Sequence, residues 1–305
     1  MLAQQQQSDT FHSSATTAVR ALMRRSNFTG EVSDLREVPI VRKMMEKMLN
    51  GEKLTFILPA FPAKSPSPMK TTGILPDMGE VLALKNLQEM CGEISGQYAP
   101  GAEVVICSDG RVFSDVVGVP DEHISLYAEG IDEIIRDFNL THLRTFSMDE
   151  LHPHKKGDEL RQELLWRFLM TMEEVREKAR NTPALFNGLH KFMIEDQMGI
   201  STLSKNQLNK QMKEKTYELM RRSDAWSALL EEEFGDVLRL SIHPYPMVHE
   251  KFGVKLVTSS EKWATPWHNV TVRTENGFEL MHKAKALELG ARPTQLGGKY
   301  AYFEL

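Results

Sequence analysis

The chain has 305 residues, enough for a sizeable core as one large domain or one domain with a helical annex. It is 41% hydrophobic and 26% charged, the composition of an ordinary soluble globular protein. A formal charge of −5 leaves no basic surplus to neutralise phosphates, which excludes a general nucleic-acid binder but allows a local basic pocket for a small anion. Residues 1–30 read as a flexible leader, because Met1 to Ser14 carries a Gln tract and hydroxyls without a basic-then-apolar signal pattern. Residues 31–305 read as a single α/β domain. Ser33 or Asp34 is placed to cap a helix through about Leu49, with Leu35, Val38, Val41, Met44, Met45 and Met48 on one face and Gly51 ending it. Phe56 opens a short apolar run bounded by prolines, the pattern of a buried strand. The loop after it, through Lys70, holds Pro59, Pro62, Pro66 and Pro68, which stiffen it and fix Lys64 and Lys70 in place.

Asp77-Met78-Gly79-Glu80 leads into a helix carrying Val81, Leu84, Leu87 and Met90. A second strand, Val104 to Cys107, runs into Ser108-Asp109-Gly110-Arg111, and Val112 to Val117 reads as a short returning strand. Pro120-Asp121-Glu122 opens another helix. His152 and His154 lie in a loop without a third nearby ligand, so no metal site is expected there. About 150–235 is a helix-rich, charge-rich insertion: Asp158 to Arg180, Ala184 to Gln197 and Ser204 to Phe234, with methionines as core filler. Strand character returns at Val237 to Ile242, which ends in His243-Pro244, and at Lys255 to Thr258. Asn269 to Thr274, Asn276-Gly277 and Phe278 to Met281 spell a hairpin. Ala284 to Leu289 is helical, and Tyr300 to Phe303 reads as a final edge strand. The order implies a Rossmann-like α/β fold, a mixed or parallel sheet flanked by helices.

In such sheets ligands collect where loops leave the carboxyl ends of strands. Those loops hold Lys64, Ser65, Lys70, Ser108, Asp109, Arg111, Ser114, Asp115, His243 and His268. Lysine and arginine on rigid loops suit a phosphate. A lysine held among other cations has a lowered pKa and serves as base or imine former. Histidine carries protons near neutral pH. The same residues also fit structural roles, with Asp109 capping its own turn and Arg111 pairing with Asp115. No nucleotide-binding glycine motif, nucleophile elbow or calcium loop is present. Cys91 and Cys107 give no metal or disulfide spacing, and Cys107 reads as a buried small hydrophobe. No run reaches the roughly 18 apolar residues of a membrane span, so the cytoplasm is the default compartment.

Four ordered blocks carry a resemblance. Leu58 to Pro66 with Leu75 to Glu80, Ile106 to Asp115, Arg239 to Pro244 and Pro266 to Val270 are similar to the isonitrile (isocyanide) synthase family of pyoverdine and dityrosine biosynthesis proteins. Ser67 departs from the pattern, which often has asparagine after Ser-Pro. The resemblance implies a lyase that turns the α-amino group of an aromatic amino acid, tyrosine favoured and tryptophan next, into an isonitrile. Its carbon would come from C2 of ribulose 5-phosphate, with release of phosphate and formaldehyde and with no metal or cofactor. It further implies Lys64, Asp109, His243 and His268 as catalytic groups. Ser65, Lys70, Ser108, Arg111, Ser114, Asp115, Trp267, Asn269, Arg221 and Arg222 would bind substrate, and the product would pass to a tailoring oxygenase. Two other classes compete. A group transferase using a nucleotide-type cosubstrate would want a glycine-rich first loop, not a proline-rich one. A non-catalytic module of the same fold would not need Lys64, Asp109, Arg111, His243 and His268 intact.

Overall fold

The computed structural model describes residues 2–29, 34–168, 170–261 and 264–305. Ser33, one of the two expected caps, lies outside them. The chain opens not with an irregular leader but with helix α1 (Leu2–Met23), which buries Ala15, Ala18, Ala21 and Leu22. Three- and four-residue spacing puts these small side chains on one face, against the next long helix but one. After β1 (Phe28–Thr29), Asp34 caps only a 3-10 turn, Leu35–Glu37, and the helix α2 (Pro39–Leu49) starts afresh at a proline. Proline suits a first helical position and no interior one, which explains the break.

The first strand pair is β2 (Leu54–Pro59) and β3 (Ala102–Cys107), joined by α3 (Met78–Ser95). Next come α4 (Gly110–Val117), α5 (Asp121–Asp137), β4 (Leu143–Phe146) and the short α6 (Met148–Leu151). The expected returning strand at Val112 to Val117 is therefore a helix. A parallel strand cannot be followed by a hairpin partner and needs a crossover, and this requirement overrides the β-branched residues. Gly118, in left-handed backbone (φ 82°), ends it. The helical middle divides into α7 (Asp158–Arg167), α8 (Met172–Asn181), α9 (Pro183–Asp196) and α10 (Lys205–Phe234). Thr171 caps α8 reciprocally with Glu174, so the expected run from Asp158 to Arg180 is two helices.

β5 (Leu238–Ser241), β6 (Tyr245–Pro246) and β7 (Phe252–Gly253) follow. The strand expected at Lys255 to Thr258 is irregular. A hairpin, β8 (Val270–Thr274) and β9 (Gly277–Met281), turns through Gly277 (φ 107°). The chain closes with α11 (Lys283–Glu288), β10 (Arg292–Leu296) and β11 (Tyr300–Glu304).

The main sheet has the order β4-β3-β2-β5-β7, and every pairing in it is parallel. This is the Rossmann-like sheet that the element order implied. A second sheet, β10-β11-β8-β9, places β11 inside rather than at the edge. The central strands are mainly apolar because both faces are covered, with Phe56 to Leu58 and Val104 to Cys107 unbroken apolar runs. Phe56, Leu58, Val104 and Ile106 join the cluster under α1, α2 and α3. Ile57, Val105 and Cys107 point the other way, against Leu160 and Leu164 of α7 and Trp226 and Leu229 of α10. Each fully buried side chain of this kind contributes about 1.5–3 kcal/mol. No helix among the described residues is long and apolar enough to cross a membrane.

Candidate active site

Parallel pairing sends every strand of the main sheet out at the same edge. The chain adds β3 and β4 on one side of β2, then returns to place β5 and β7 on the other, so the winding reverses between β2 and β5. A crevice opens outside the carboxyl ends of strands at such a point. The loop after β2 and Ile242-His243 after β5 border it. The turn before β8, Pro266-Trp267-His268, is stitched to that first loop. The Ser65 N–H donates to the Trp267 carbonyl (2.8 Å), and the Lys64 ammonium donates to the Pro266 carbonyl (3.0 Å). Phe61 holds left-handed backbone (φ 58°) and packs its buried ring 5.2 Å from that of Trp267. Gly110 has no room for a side chain, since a Cβ there would sit 2.1 Å from the Pro62 carbonyl oxygen. The first loop thus crosses directly over the start of α4.

Lys64 does not open into the crevice. Its ammonium lies 2.7 Å from Asp77 Oδ2 and 2.7 Å from Glu80 Oε2, with a side chain only 1% exposed. Asp77 caps α3, Glu80 accepts the Asp77 N–H in return, and the Tyr127 hydroxyl donates to Glu80 Oε1 (2.9 Å). Burial pulls the Lys64 pKa down, but the two carboxylates outweigh it and hold the pKa above its usual range. The lowered value expected of a base or imine former is therefore absent. Burial pushes Asp77 up to about 7, with Glu80 adding to the rise against the pull of Lys64.

The crevice is a cavity of about 500 Å³. Lys70, His243, Trp267, His268 and Asn269 line it, and α9 supplies a further wall. Asp196, at the end of α9 and 2% exposed, ties these parts together. Its Oδ1 accepts from the Ser65 hydroxyl (2.6 Å) and the Lys70 ammonium (2.8 Å), and its Oδ2 lies 3.7 Å from His268 Nε2. Burial pushes the Asp196 carboxyl up, but His268 and Lys70 reverse this and hold it at about 2. His268 Nδ1 meets the Thr265 hydroxyl at 2.9 Å, and the Phe192 ring stands edge-on to its imidazole at 4.1 Å. Burial pulls His268 below its usual value, with Lys70 and Lys64 adding to the pull and Asp196 opposing it. Burial, Lys251 and His268 together pull His243 down to about 4. The His243 imidazole is consequently neutral near pH 7.

The other candidates sit elsewhere. The Ser108 hydroxyl donates to the Phe61 carbonyl (3.1 Å). Asp109 precedes α4 without capping it by its side chain; its buried Oδ1 accepts no hydrogen bond from any described residue, and burial raises its pKa to about 7. Arg111 does not pair with Asp115. It donates to the Asp121 carbonyl and the Ser125 hydroxyl (both 2.6 Å) and lies 3.3 Å from Asp149. Asp115 is gripped by Arg222, whose Nη2 donates to its Oδ2 at 2.9 Å. The Ser114 hydroxyl donates to Asp121 (2.8 Å) and accepts from Arg161 (2.7 Å). Arg221 donates to the Met170 carbonyl (2.9 Å). These groups bolt α4, α5, α7 and α10 together, and none of them lines the cavity.

Residues 44–292 match the sequence model of the pyoverdine/dityrosine biosynthesis protein family. The chain belongs to that family. It is similar to an L-tryptophan isonitrile synthase from Fischerella ambigua, 39% identical over 269 residues that span 87% of this chain and 82% of the relative. It is similar also to an L-tyrosine isonitrile synthase from Pseudomonas aeruginosa, 38% identical over 84% of this chain and 80% of the relative. The crystal structure of the PvcA protein from Pseudomonas aeruginosa superposes with a TM-score of 0.88 at 33% identity, covering 96% of this chain and 99% of that one. The family match thus extends past the four sequence blocks at both ends.

Sequence reasoning missed Asp196, Phe192 and Thr265 around this cavity, and gave Asp77 and Glu80 no role beyond a helix start within a block that resembles the family. Asp196 had no local signal, since its partner Ser65 lies 131 residues away.

Proposed function

We propose that this chain is an aromatic amino acid isonitrile synthase, a lyase that draws its extra carbon from C2 of ribulose 5-phosphate. The observation that carries the reading is the two-sided cavity at the reversal of the sheet. One side offers the Lys70 ammonium and two imidazoles, the other a largely apolar and aromatic stretch of α9, in a family member 39% and 38% identical to tryptophan and tyrosine isonitrile synthases.

In this reading Lys70 holds an anionic group, the sugar phosphate or the substrate carboxylate, and Trp267 and Phe192 flank the aromatic ring. The substrate amine attacks the C2 ketone of the sugar and loses water to give an imine. Tautomerisation moves the carbonyl to C3, proton removal at C4 expels phosphate from C5, and a retro-aldol cleavage releases C1 as formaldehyde. Loss of the proton on C2 then breaks C2–C3, leaving C2 on nitrogen as the isonitrile and C3–C5 as a three-carbon hydroxyketone. Each proton transfer gains roughly 10²–10⁴-fold from a positioned group. His268, oriented by Thr265 and Asp196, and His243 are the imidazoles that line the cavity and serve as its proton carriers, while Asp109 lies behind them at the end of β3. Lys64 serves as the buried cation that fixes the loop bearing Ser65 and Lys70. Arg111, Ser114, Asp115, Arg221 and Arg222 support the helices behind the site.

The test is to incubate the purified protein with L-tyrosine or L-tryptophan and ribulose 5-phosphate labelled with ¹³C at C2. A labelled isonitrile, seen by mass and infrared absorption, with phosphate released in equal amount, is expected. No isonitrile and no phosphate release with either amino acid overturns the proposal.

A further inference from the structure

Helix α9 contributes an apolar side to the cavity. Ala184, Gly188 and Phe192 recur every four residues and so share one helix face, flanked by Leu185 and Leu189. Polar lining comes from the strand-end loops, as Lys70, His243, His268 and Asn269, and from Lys191 and Glu195 farther along α9. The two kinds of lining meet at Phe192. Its ring stands 4.1 Å from the His268 imidazole, and the Lys70 ammonium lies 4.4 Å from its centre.

Gly188 has no reason in the fold to be glycine. Its backbone is not left-handed, and an added Cβ would meet nothing within 4 Å. Gly110, where a backbone oxygen fills the place of a side chain, is the contrasting case. A glycine inside a helix is less stable than alanine at the same place. Gly188 is exposed and lines the cavity, so a side chain added there stands at the cavity's edge. A second observation points to a ligand there. Asn269 is only 2% exposed and lines the same cavity; its amide donates to the Thr265 carbonyl, but its Oδ1 accepts nothing from any described residue. That oxygen suits an incoming N–H.

We propose that α9 reads the side chain of the amino acid substrate, and that Gly188 leaves the room a large aromatic ring requires. This deepens the proposed function and rests on it for the class of substrate. With the ring against residues 184–189, the amine faces Asn269 and His268. Gly188→Leu fills the space with a good helix former, so it takes room from the ring without weakening α9. Misfit by one methylene in an apolar pocket is worth 10–200-fold, and the larger indole suffers before the phenol.

Calorimetric titration of the full chain with L-tryptophan and L-tyrosine tests this, on wild type, Gly188→Ala and Gly188→Leu. Gly188→Ala is expected to melt no lower than wild type, which guards against a folding artefact. Gly188→Leu is expected to weaken L-tryptophan binding at least tenfold more than L-tyrosine binding; if it fails to fold, a smaller loss in the same direction in Gly188→Ala carries the test. Unchanged relative affinity for the two amino acids in the folded variants overturns the proposal, as does a wild type that binds neither. A wild type that binds both, discriminates through residue 188 and yet makes no isonitrile would overturn the reaction and leave this assignment standing.

Discussion

Replacing Asp196 by asparagine preserves shape and removes one buried charge. The carboxylate sits at 2% exposure between a hydroxyl at 2.6 Å and an ammonium at 2.8 Å, and it titrates at about 2 instead of its ordinary 3.8. A group whose pKa is depressed by folding stabilises the fold above its unfolded pKa and loses that contribution as pH falls through the folded value. At 1.36 kcal/mol for each unit, the depression contributes about 2 kcal/mol near neutral pH. This agrees with the roughly 1.5–3 kcal/mol of a hydrogen bond to a charged group. Asp196→Asn should therefore lose about 2 kcal/mol at pH 7, lowering Tm by about 3 °C in a chain of 305 residues. Urea unfolding of both proteins from pH 7 downward reads the same quantity. The gap should hold to about pH 5 and then shrink towards pH 2, as the wild-type carboxyl takes up its proton. A variant as stable as wild type at pH 7, or a gap that stays constant down to pH 3, would refute the charge argument.

Two further predictions concern the groups around that hub. Lys64→Met leaves Asp77 and Glu80 buried without their cation and should cost about 3–5 kcal/mol in urea unfolding, part of which the double variant Lys64→Met with Glu80→Gln recovers; a single variant within 1 kcal/mol of wild type contradicts the ion cluster. The His243 ring, pulled down to about 4, should show an NMR titration midpoint far below the ordinary 6.5. Charging it inside the fold is unfavourable, so its contribution is held above pH 6.5 and lost as pH falls. A midpoint at 6.5, on the resonance missing from His243→Gln, would show that the imidazole is not enclosed.

The central strands were legible because burial on both faces leaves an unmistakable signature, unbroken apolar residues between prolines and glycines. The hairpin at Asn276-Gly277 was legible from turn chemistry alone. Val112 to Val117 was not, since Val112, Phe113, Val116 and Val117 satisfy a helical stripe as well as a strand, and only the parallel sheet decides between them. Residues 1–30 misled because a Gln tract signals polarity while the small residues after it bury quietly. Of the site, His243, Trp267, His268, Asn269 and Lys70 were found from strand-end position and family pattern, and all line the cavity. Arg111 was drawn in by its strand-end loop and family block and Arg222 by its charge on a helix; which acid answers an arginine is set by helix packing, and here Asp121 and Asp115 do.

The bond from Lys64 to the Pro266 carbonyl spans 202 residues of chain. Closing such a span costs only about 2 kcal/mol more than closing one of 20 residues, because loop entropy grows with the logarithm of length. Its larger effect is on timing, since distant contacts are slow to form. During synthesis the loop after β2, α9 and His243 all emerge before the turn that seals them. The cavity is thus sealed only late in synthesis, with the second sheet still to follow. A small molecule that fits it recognises only chains with that turn in place, so substrate supply during expression should raise the yield of folded protein.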